Sequence, residues 1–332
     1  MTIIDKRCFS FVWQIGACLF LLSALCLNMA CAQEYPTRPI KLIVPFAPGG
    51  GNDAIGRIIA KNLSETLGQP VVVDNRSGAG GRLGVDSGVR SDPDGYTLTL
   101  ISNSYAANPS LFKIGFDPIK DITPIGLIAR TPLLVAIRQD LPVNNIAELI
   151  QFAKLRPGKL SYASSGLGGI SHLSTELFLK SANIQMEHIP YKGTSPAMTD
   201  LVSGTTDLFF STSGTALPYM RSNKIRVIAV TTPKRSKAEP SIPTIAESGL
   251  PNYAVTVWYG LVGPKNLAPA IVQKLNLALI KALEDNRTLD LFRTTGDEAS
   301  PSNPEEFKNL IELEIAQWQK VVIEAKIKVK SD

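Results

Sequence analysis

The chain has 332 residues, with 34 lysines and arginines against 29 aspartates and glutamates and a formal net charge of +5. These charges are scattered along the chain, which excludes the clustered basic surface typical of nucleic-acid-binding proteins. The four cysteines (Cys8, Cys18, Cys26 and Cys31) all lie near the N-terminus, so residues 32–332 contain no disulfide, thiol nucleophile or cysteine-based metal site. A chain of this length can be held by its hydrophobic core alone, as two domains.

Residues 1–32 are predicted to be an export signal. Lys6 and Arg7 precede a largely apolar stretch, and the segment from Ala30 to Ala32 has the small-residue pattern of a cleavage site. Cleavage after Ala32 is expected to release residues 33–332 outside the cytoplasm. Two alternatives stay open from the sequence, namely an uncleaved membrane anchor and a lipoprotein attached through Cys31.

Strand-like and helix-like segments alternate through the rest of the chain, which predicts an α/β fold with mainly parallel sheets. In chain order, the predicted elements are a strand at 40–44, a helix at 53–67, strands at 71–74, 97–101 and 133–137, helices at 146–155, 170–181 and 195–203, strands at 207–210 and 225–231, an extended segment at 254–259, and helices at 268–283 and 304–326. Each half opens with a strand and a glycine-rich helix start. Two similar domains are therefore expected to face each other across a ligand-binding cleft.

The first glycine-rich helix start is the most informative motif. Two prolines and three glycines follow the 40–44 strand, so bare N–H groups stand at the start of a helix, where they attract anions. Gly49, Gly50, Asn52 and Asp53 are the candidate residues. Two alternatives stay open. In the first, the glycines only form a tight turn. In the second, they form a dinucleotide-binding fingerprint together with Asp74, about 20 residues further on, although two prolines separate the strand from the glycines.

A second such device spans residues 164–172, where hydroxyls and glycines precede an apolar helix. Ser164, Ser165 and Ser171 either cap that helix or contact a ligand oxygen. His172 is expected to be structural rather than catalytic, because neither it nor His188 has a partner at metal-ligand spacing.

Polar residues next to two further strands are also candidates for ligand contact. Asn103 and Ser104 follow the 97–101 strand. Asp207 begins the strand at 207–210, and Thr212 lies in the hydroxyl-rich turn in which that strand ends. Catalytic signatures are missing from the sequence, including the nucleophile elbow, the zinc-protease helix and the Walker loop. We therefore predict neither an enzyme nor a cofactor; a secreted hydrolase or a dinucleotide-binding enzyme is the alternative.

The pattern as a whole resembles the Bug-type solute-binding receptors of tripartite tricarboxylate transporters. The resemblance is carried by motifs at 39–53, 73–81, 92–98, 116–121, 158–166, 188–193, 226–231 and 242–249. It implies a type II periplasmic binding protein fold, with two lobes joined by two crossovers. It also implies capture of a small carboxylate (a mono-, di- or tricarboxylate, including amino acids and aromatic acids) and delivery to a membrane permease.

The resemblance further implies where the ligand lies. The loops 46–53 and 164–172 are expected to hold it from either lobe, which adds Phe46, Ala47, Gly166, Gly168 and His172 to the candidates. Neither loop contains lysine or arginine, so N–H groups and hydroxyls are expected to bind the carboxylate, with Lys192 as the nearest cation. The lobes are predicted at 33–133 with 257–332 and at 134–256, with crossovers at 134–136 and 255–257.

Overall fold

The computed structural model describes residues 35–324 and Ile327. The predicted export signal, its four cysteines and the last two residues of the helix predicted at 304–326 lie outside these described residues. Contacts group the described residues from Arg38 onward into one unit, to which every element named below belongs. Within the described part of the chain, no helix has both the length and the apolar character needed to cross a bilayer.

The strands form two sheets. The first contains β1 (Ile40–Val44), β2 (Val71–Asn75), β3 (Thr97–Ser102), β4 (Ile122–Thr131), β10 (Val257–Pro264) and β11 (Glu298–Ala299), in the order β11-β4-β10-β3-β1-β2. The second contains β5 (Leu133–Arg138), β6 (Ser161–Ser164), β7 (Glu187–Pro190), β8 (Leu208–Thr212) and β9 (Ile225–Val230), in the order β7-β6-β8-β5-β9. The chain passes from the first sheet to the second at Pro132 and returns after β9.

Both sheets are mixed, whereas the sequence predicts mainly parallel ones. Strand β1 pairs in parallel with β2 and β3, and β6 pairs in parallel with β7 and β8. The strands next to the passages between the sheets reverse direction. β10 is antiparallel to β3 and β4, and β5 is antiparallel to β8 and β9. The α/β class is nevertheless confirmed, because helices follow the parallel strands in each sheet.

Ten α-helices lie within the described residues. They are α1 (Gly51–Leu67), α2 (Arg82–Val89), α3 (Asn103–Leu111), α4 (Ile146–Lys154), α5 (Ile170–Ala182), α6 (Thr194–Val202), α7 (Ser213–Arg221), α8 (Pro269–Glu284), α9 (Asn286–Thr295) and α10 (Pro304–Glu324). Helix α1 buries Ile55, Ile59 and Leu63 on one face, as the apolar spacing predicts. It ends at Gly68, whose φ of 70° is the left-handed conformation that glycine adopts readily.

Several elements differ from the sequence prediction. The unpredicted ones are the helices α2, α3, α7 and α9 and the strands β4, β6, β7 and β11. Helix α3 contains Pro109 and is buried along its first two turns, and helix α7 contains Pro218. Neither helix therefore presents a clear apolar stripe in the sequence. The segment predicted as extended at 254–259 becomes a strand only at Val257 and continues to Pro264.

Candidate functional site

The first glycine loop leads from β1 into α1 and is held by its own carboxylate. Gly50 caps α1, and the N–H of Gly49 donates a hydrogen bond of 2.9 Å to Asp53 Oδ2. The Asp53 carboxylate also accepts from Arg57 Nε and Asn75 Nδ2, each at 2.9 Å. Burial alone would raise the pKa of Asp53, but hydrogen bonds from Arg57, Gly49 and Asn75 outweigh it and lower that pKa. One predicted N–H donor is thus already used within the loop.

Glycines in this loop allow it to touch helix starts that follow the second sheet. A Cβ atom on Gly50 would lie 2.3 Å from Thr194 Oγ1, and one on Gly51 would lie 2.6 Å from Thr212 Oγ1. Real Cβ atoms do not approach other atoms so closely, so any larger residue would force the two surfaces apart. The structure therefore brings Gly50 and Thr212, both predicted site residues, to one contact region.

Two other predicted residues of this region lie beside that contact. Ala47 packs against Gly193, where a Cβ atom would lie 3.1 Å from the Ala47 Cβ. Asn52 is buried in the first turn of α1, and its Oδ1 has no hydrogen-bond partner among the described residues.

The second loop, residues 164–172, uses most of its N–H groups internally. The Ser165 N–H donates to Ser171 Oγ at 2.8 Å, and the Gly166 N–H donates to Ser164 Oγ at 3.2 Å. The Gly168 N–H donates to His172 Nδ1 at 3.3 Å. These bonds correct the expectation that the loop offers a row of bare amides. Its predicted serines and histidine instead hold the backbone in shape.

The two histidines of the chain are stacked beneath this loop. The His172 and His188 rings are 4.2 Å apart between centroids, and Tyr162 stacks on His188 at 4.7 Å. Ser164 Oγ lies 2.6 Å from His188 Nε2. Burial lowers the pKa of His172 to about 3, with a further contribution from the charge of His188, and burial lowers the pKa of His188 to about 4. Both rings are therefore neutral at physiological pH, which fits a structural role.

The structure also brings a third loop against the second one. Gly80 has a φ of +62°, and a Cβ atom on it would lie 2.3 Å from the Leu167 carbonyl oxygen and 3.0 Å from the Gly169 nitrogen. Nearby, Ser104 Oγ accepts a 3.1 Å hydrogen bond from the N–H of Ile170, the first residue of α5. The predicted residue Ser104 thus links α3, which follows the first sheet, to a helix start of the second.

A cavity of about 430 Å³ opens where these loops meet. It is lined by Phe46, Gly78, Ala79, Gly80, Gly81, Arg82, Phe112, Ser165, Gly166, Leu167, Pro190, Tyr191 and Lys192. Size does not single it out, because cavities of about 470 and 530 Å³ open elsewhere on the described surface. Its position distinguishes it, because the lining residues lie at or directly after the carboxyl ends of strands from both sheets and of helix α3. Ligands of open α/β sheets bind at such edges.

Four of the predicted site residues line this cavity: Phe46, Ser165, Gly166 and Lys192. Leu167, which also lines the cavity, lies within the predicted loop 164–172. The lining residues that sequence reasoning missed are the turn 78–82, Phe112, Pro190 and Tyr191. A signal for the turn was present, because Gly78, Gly80 and Gly81 repeat the glycine-rich pattern of the other two loops directly after β2. Phe112 follows α3, which was itself unpredicted, so no local pattern pointed to it.

Two predicted residues do not line the cavity and have partners elsewhere in the structure. Asp207 precedes β8 and therefore lies at the opposite end of that strand from Thr212. There it pairs with Arg138 at 2.8 Å and accepts the Ser161 N–H at 2.8 Å. The Asn103 side chain donates to Glu314 Oε2 at 2.8 Å and accepts from the Trp258 N–H at 2.9 Å, so it ties α3 to α10 and β10.

No cluster of three or more histidine, cysteine or acidic side chains suited to a metal ion occurs among the described residues. What the cavity offers is different. Its walls, all within the described part of the chain, combine backbone of two glycine-rich loops, three aromatic residues, Arg82 and Lys192, and include no acidic side chain. Such a lining can hold a small anion.

Comparisons with known proteins agree with this geometry. Residues 55–327 match the family model described as "Tripartite tricarboxylate transporter family receptor". The chain is 36% identical to Protein BugT of Bordetella pertussis over 315 residues, which cover 94% of this chain and 97% of BugT. The periplasmic binding protein BugD superposes with a TM-score of 0.86 at 35% identity, covering 89% of this chain and 99% of BugD. A structure described as R. palustris Rpa4515 with adipate has a TM-score of 0.86 at 37% identity, covering 89% and 99% of the two chains. These likenesses confirm the predicted periplasmic binding protein fold.

Proposed function

Because the chain belongs to the tripartite tricarboxylate transporter receptor family, we propose that it captures a small carboxylate in the cavity between its two sheets and delivers it to a membrane permease. The observation that carries the proposal is the lining of the 430 Å³ cavity, which joins two glycine-rich loops to two cations without an acidic side chain. The solved relative with adipate supports a carboxylate as the ligand class.

Hydrogen bonds from such a lining are strong enough for useful affinity. A hydrogen bond to a charged group contributes about 1.5–3 kcal/mol net. Four of them would approach the roughly 8 kcal/mol of a micromolar complex, with ordering costs to be met from apolar contacts. Phe46 and Phe112 supply such contacts within the cavity.

Ligand capture in this proposal is a closing movement of two lobes. The proposed lobes, 33–133 with 257–332 and 134–256, separate the strands of the two sheets except at Leu133, the first residue of β5, and the crossover expected at 134–136 lies within that strand. Hinge closure around a ligand excludes water and strengthens each hydrogen bond. We further propose that residues 1–32 direct export and that the receptor works in the periplasm, as the description of BugD says of that protein.

One contact favours a second candidate, a secreted hydrolase, because Ser164 Oγ and His188 Nε2 lie 2.6 Å apart like a nucleophile and its base. The surroundings argue for the receptor instead. Ser164 is fully buried and its hydroxyl already accepts the Gly166 N–H. The pKa of His188, lowered by burial to about 4, also makes it a weak base at neutral pH.

The test is a thermal-shift screen of the protein purified from the periplasm of an expression host and dialysed free of bound ligand. Mono-, di- and tricarboxylates are compared with nicotinamide dinucleotides and with simple esters. We expect stabilisation by one or more carboxylates, with no ester consumed. Stabilisation by dinucleotides alone, or turnover of an ester, would contradict the receptor assignment. Mass spectrometry of the same sample reports whether the chain begins at residue 33.

A further inference from the structure

The cavity carries two positive charges that no acidic group within it balances. Arg82 enters from the first-sheet side, as the first residue of α2, and Lys192 enters from the second-sheet side, two residues after β7. Backbone of the turn 78–81 and of residues 165–167 lines the cavity as well. Two cations in addition to those loops exceed what a single carboxylate requires.

Arg82 differs from its neighbours in this half of the chain. Arg57, Arg76 and Arg90 each form an ion pair of 2.9 Å with a carboxylate of the protein. The Arg82 side chain forms no ion pair or hydrogen bond with any described residue. It therefore keeps all its guanidinium donors for a ligand, and a guanidinium can bind a carboxylate with two parallel bonds.

Arg82 is also held in place without a protein anion. Its guanidinium carbon lies 4.8 Å from the centroid of the Phe112 ring, within the range of a cation–π contact. Phe112 lines the same cavity and is half-buried there. The ring thus fixes the cation at the cavity wall and leaves its hydrogen-bonding edge available.

The rest of the lining suits a carbon chain between two polar ends. Phe46, Phe112 and Leu167 present apolar surface to the cavity, next to the backbone of Gly80 and Gly166. A volume of about 430 Å³ is at the low end of the range for small-molecule sites, roughly 300–1,000 Å³, and leaves room beyond one carboxylate.

We propose that Arg82, assisted by Lys192, forms a subsite for a second carboxylate, so that this receptor selects dicarboxylates over monocarboxylates of the same chain length. The inference rests on the proposed carboxylate function. One cation comes from each side of the cleft, so the second carboxylate also bridges the two sides and favours the ligand-bound arrangement.

The test compares matched ligands by isothermal titration calorimetry. Unbranched dicarboxylates from butanedioate to octanedioate are titrated beside the monocarboxylate and the monomethyl ester of equal length. We expect the best dicarboxylate to bind at least tenfold more tightly than its monoester. Arg82→Gln is expected to remove most of that difference, because it should weaken dicarboxylate binding far more than monoester binding. Arg82→Lys keeps the positive charge but not the guanidinium that can form two parallel bonds. Its preference for dicarboxylate over monoester should lie between those of the unsubstituted protein and Arg82→Gln.

Arg156→Gln is the matched control. Arg156 also stacks on a phenylalanine, with 4.0 Å from its guanidinium carbon to the Phe152 ring centroid, but it is exposed and does not line the cavity. It should leave both affinities unchanged. Equal binding of dicarboxylate and monoester by the unsubstituted protein would overturn the subsite while the carboxylate function stands. An equal loss for both ligands in Arg82→Gln would do the same. Binding of no carboxylate at all would overturn the function and the subsite together.

Discussion

Replacing Gly80 with alanine should weaken carboxylate binding in addition to its cost to the fold. The backbone of Gly80 has a φ of +62°, which costs an L-residue about 1–2 kcal/mol, and this penalty applies whether or not ligand is bound. The new methyl group would also start 2.3 Å from the Leu167 carbonyl oxygen. Ordinary contact requires the two loops to separate by roughly 1 Å. Losing one hydrogen bond from the loops to a charged ligand then costs about 1.5–3 kcal/mol, a ten- to hundredfold rise in Kd.

Gly158→Ala separates the backbone effect from the contact. Gly158 has a φ of +67°, nearly that of Gly80, and a Cβ atom on it would meet nothing within 4 Å. Both variants are titrated with the carboxylate found in the screen, and their Tm values are measured without ligand. We expect similar losses of Tm and a loss of affinity in Gly80→Ala alone. Equal affinities in the two variants would show that the approach of the turn 78–81 to the second loop is unimportant for binding, and the reasoning would fail.

Three further predictions concern the contacts around the cavity. Gly50→Ala should raise Kd, because its Cβ atom would lie 2.3 Å from Thr194 Oγ1, and Thr194→Ala in the same chain should restore most of the affinity in titrations. Ser104→Ala removes the acceptor of a 3.1 Å hydrogen bond across the cleft and should raise Kd about three- to tenfold, since a neutral hydrogen bond contributes about 0.5–1.5 kcal/mol. The free energy of unfolding, measured with urea, should fall as the pH drops below 6.5. Burial lowers the pKa of His188 to about 4 and that of His172 to about 3, so above these values the unfolded chain binds protons that the folded chain does not. His188→Gln should reduce that slope by about 1.4 kcal/mol per pH unit within the window.

Each of these predictions has a result that contradicts it. A double variant at Gly50 and Thr194 that binds no better than Gly50→Ala would show that the glycine serves something other than the contact. Ser181→Ala, on an exposed helix face, is the control for Ser104→Ala, and equal Kd changes in the two would refute the cross-cleft role. An unchanged slope in His188→Gln would show that this ring titrates normally in the folded protein.

Local sequence patterns were sufficient to predict the elements whose formation depends on neighbouring residues. The strand β1 and helix α1 follow from a β-branched run, glycine punctuation and apolar residues at helical spacing. Helix α3 was invisible to the same reasoning, because its first two turns are buried on every side and contain no apolar stripe. Its burial depends on β10 and α10, which come from the far end of the chain.

The candidate site divides in the same way. Glycine-rich loops can be recognised in sequence, and two of the three were assigned to the site. Which N–H groups remain available cannot be read from sequence, because that depends on side-chain rotamers such as those of Ser171 and His172, which consume donors of their own loop. Asp207 does not line the cavity, for a simpler reason. Asp207 directly precedes β8, whereas Thr212 is the last residue of β8, so the two lie at opposite ends of that strand.

The single residue between β4 and β5 has a practical consequence. Because only Pro132 separates Thr131 from Leu133, the two sheets cannot slide apart at this point, and a relative movement must be a rotation about it. Residues 32–332 contain no cysteine, so a pair of engineered thiols across the cleft could carry a donor and an acceptor dye without competing labelling. Such a chain would serve as a fluorescent biosensor whose signal reports the angle between the sheets.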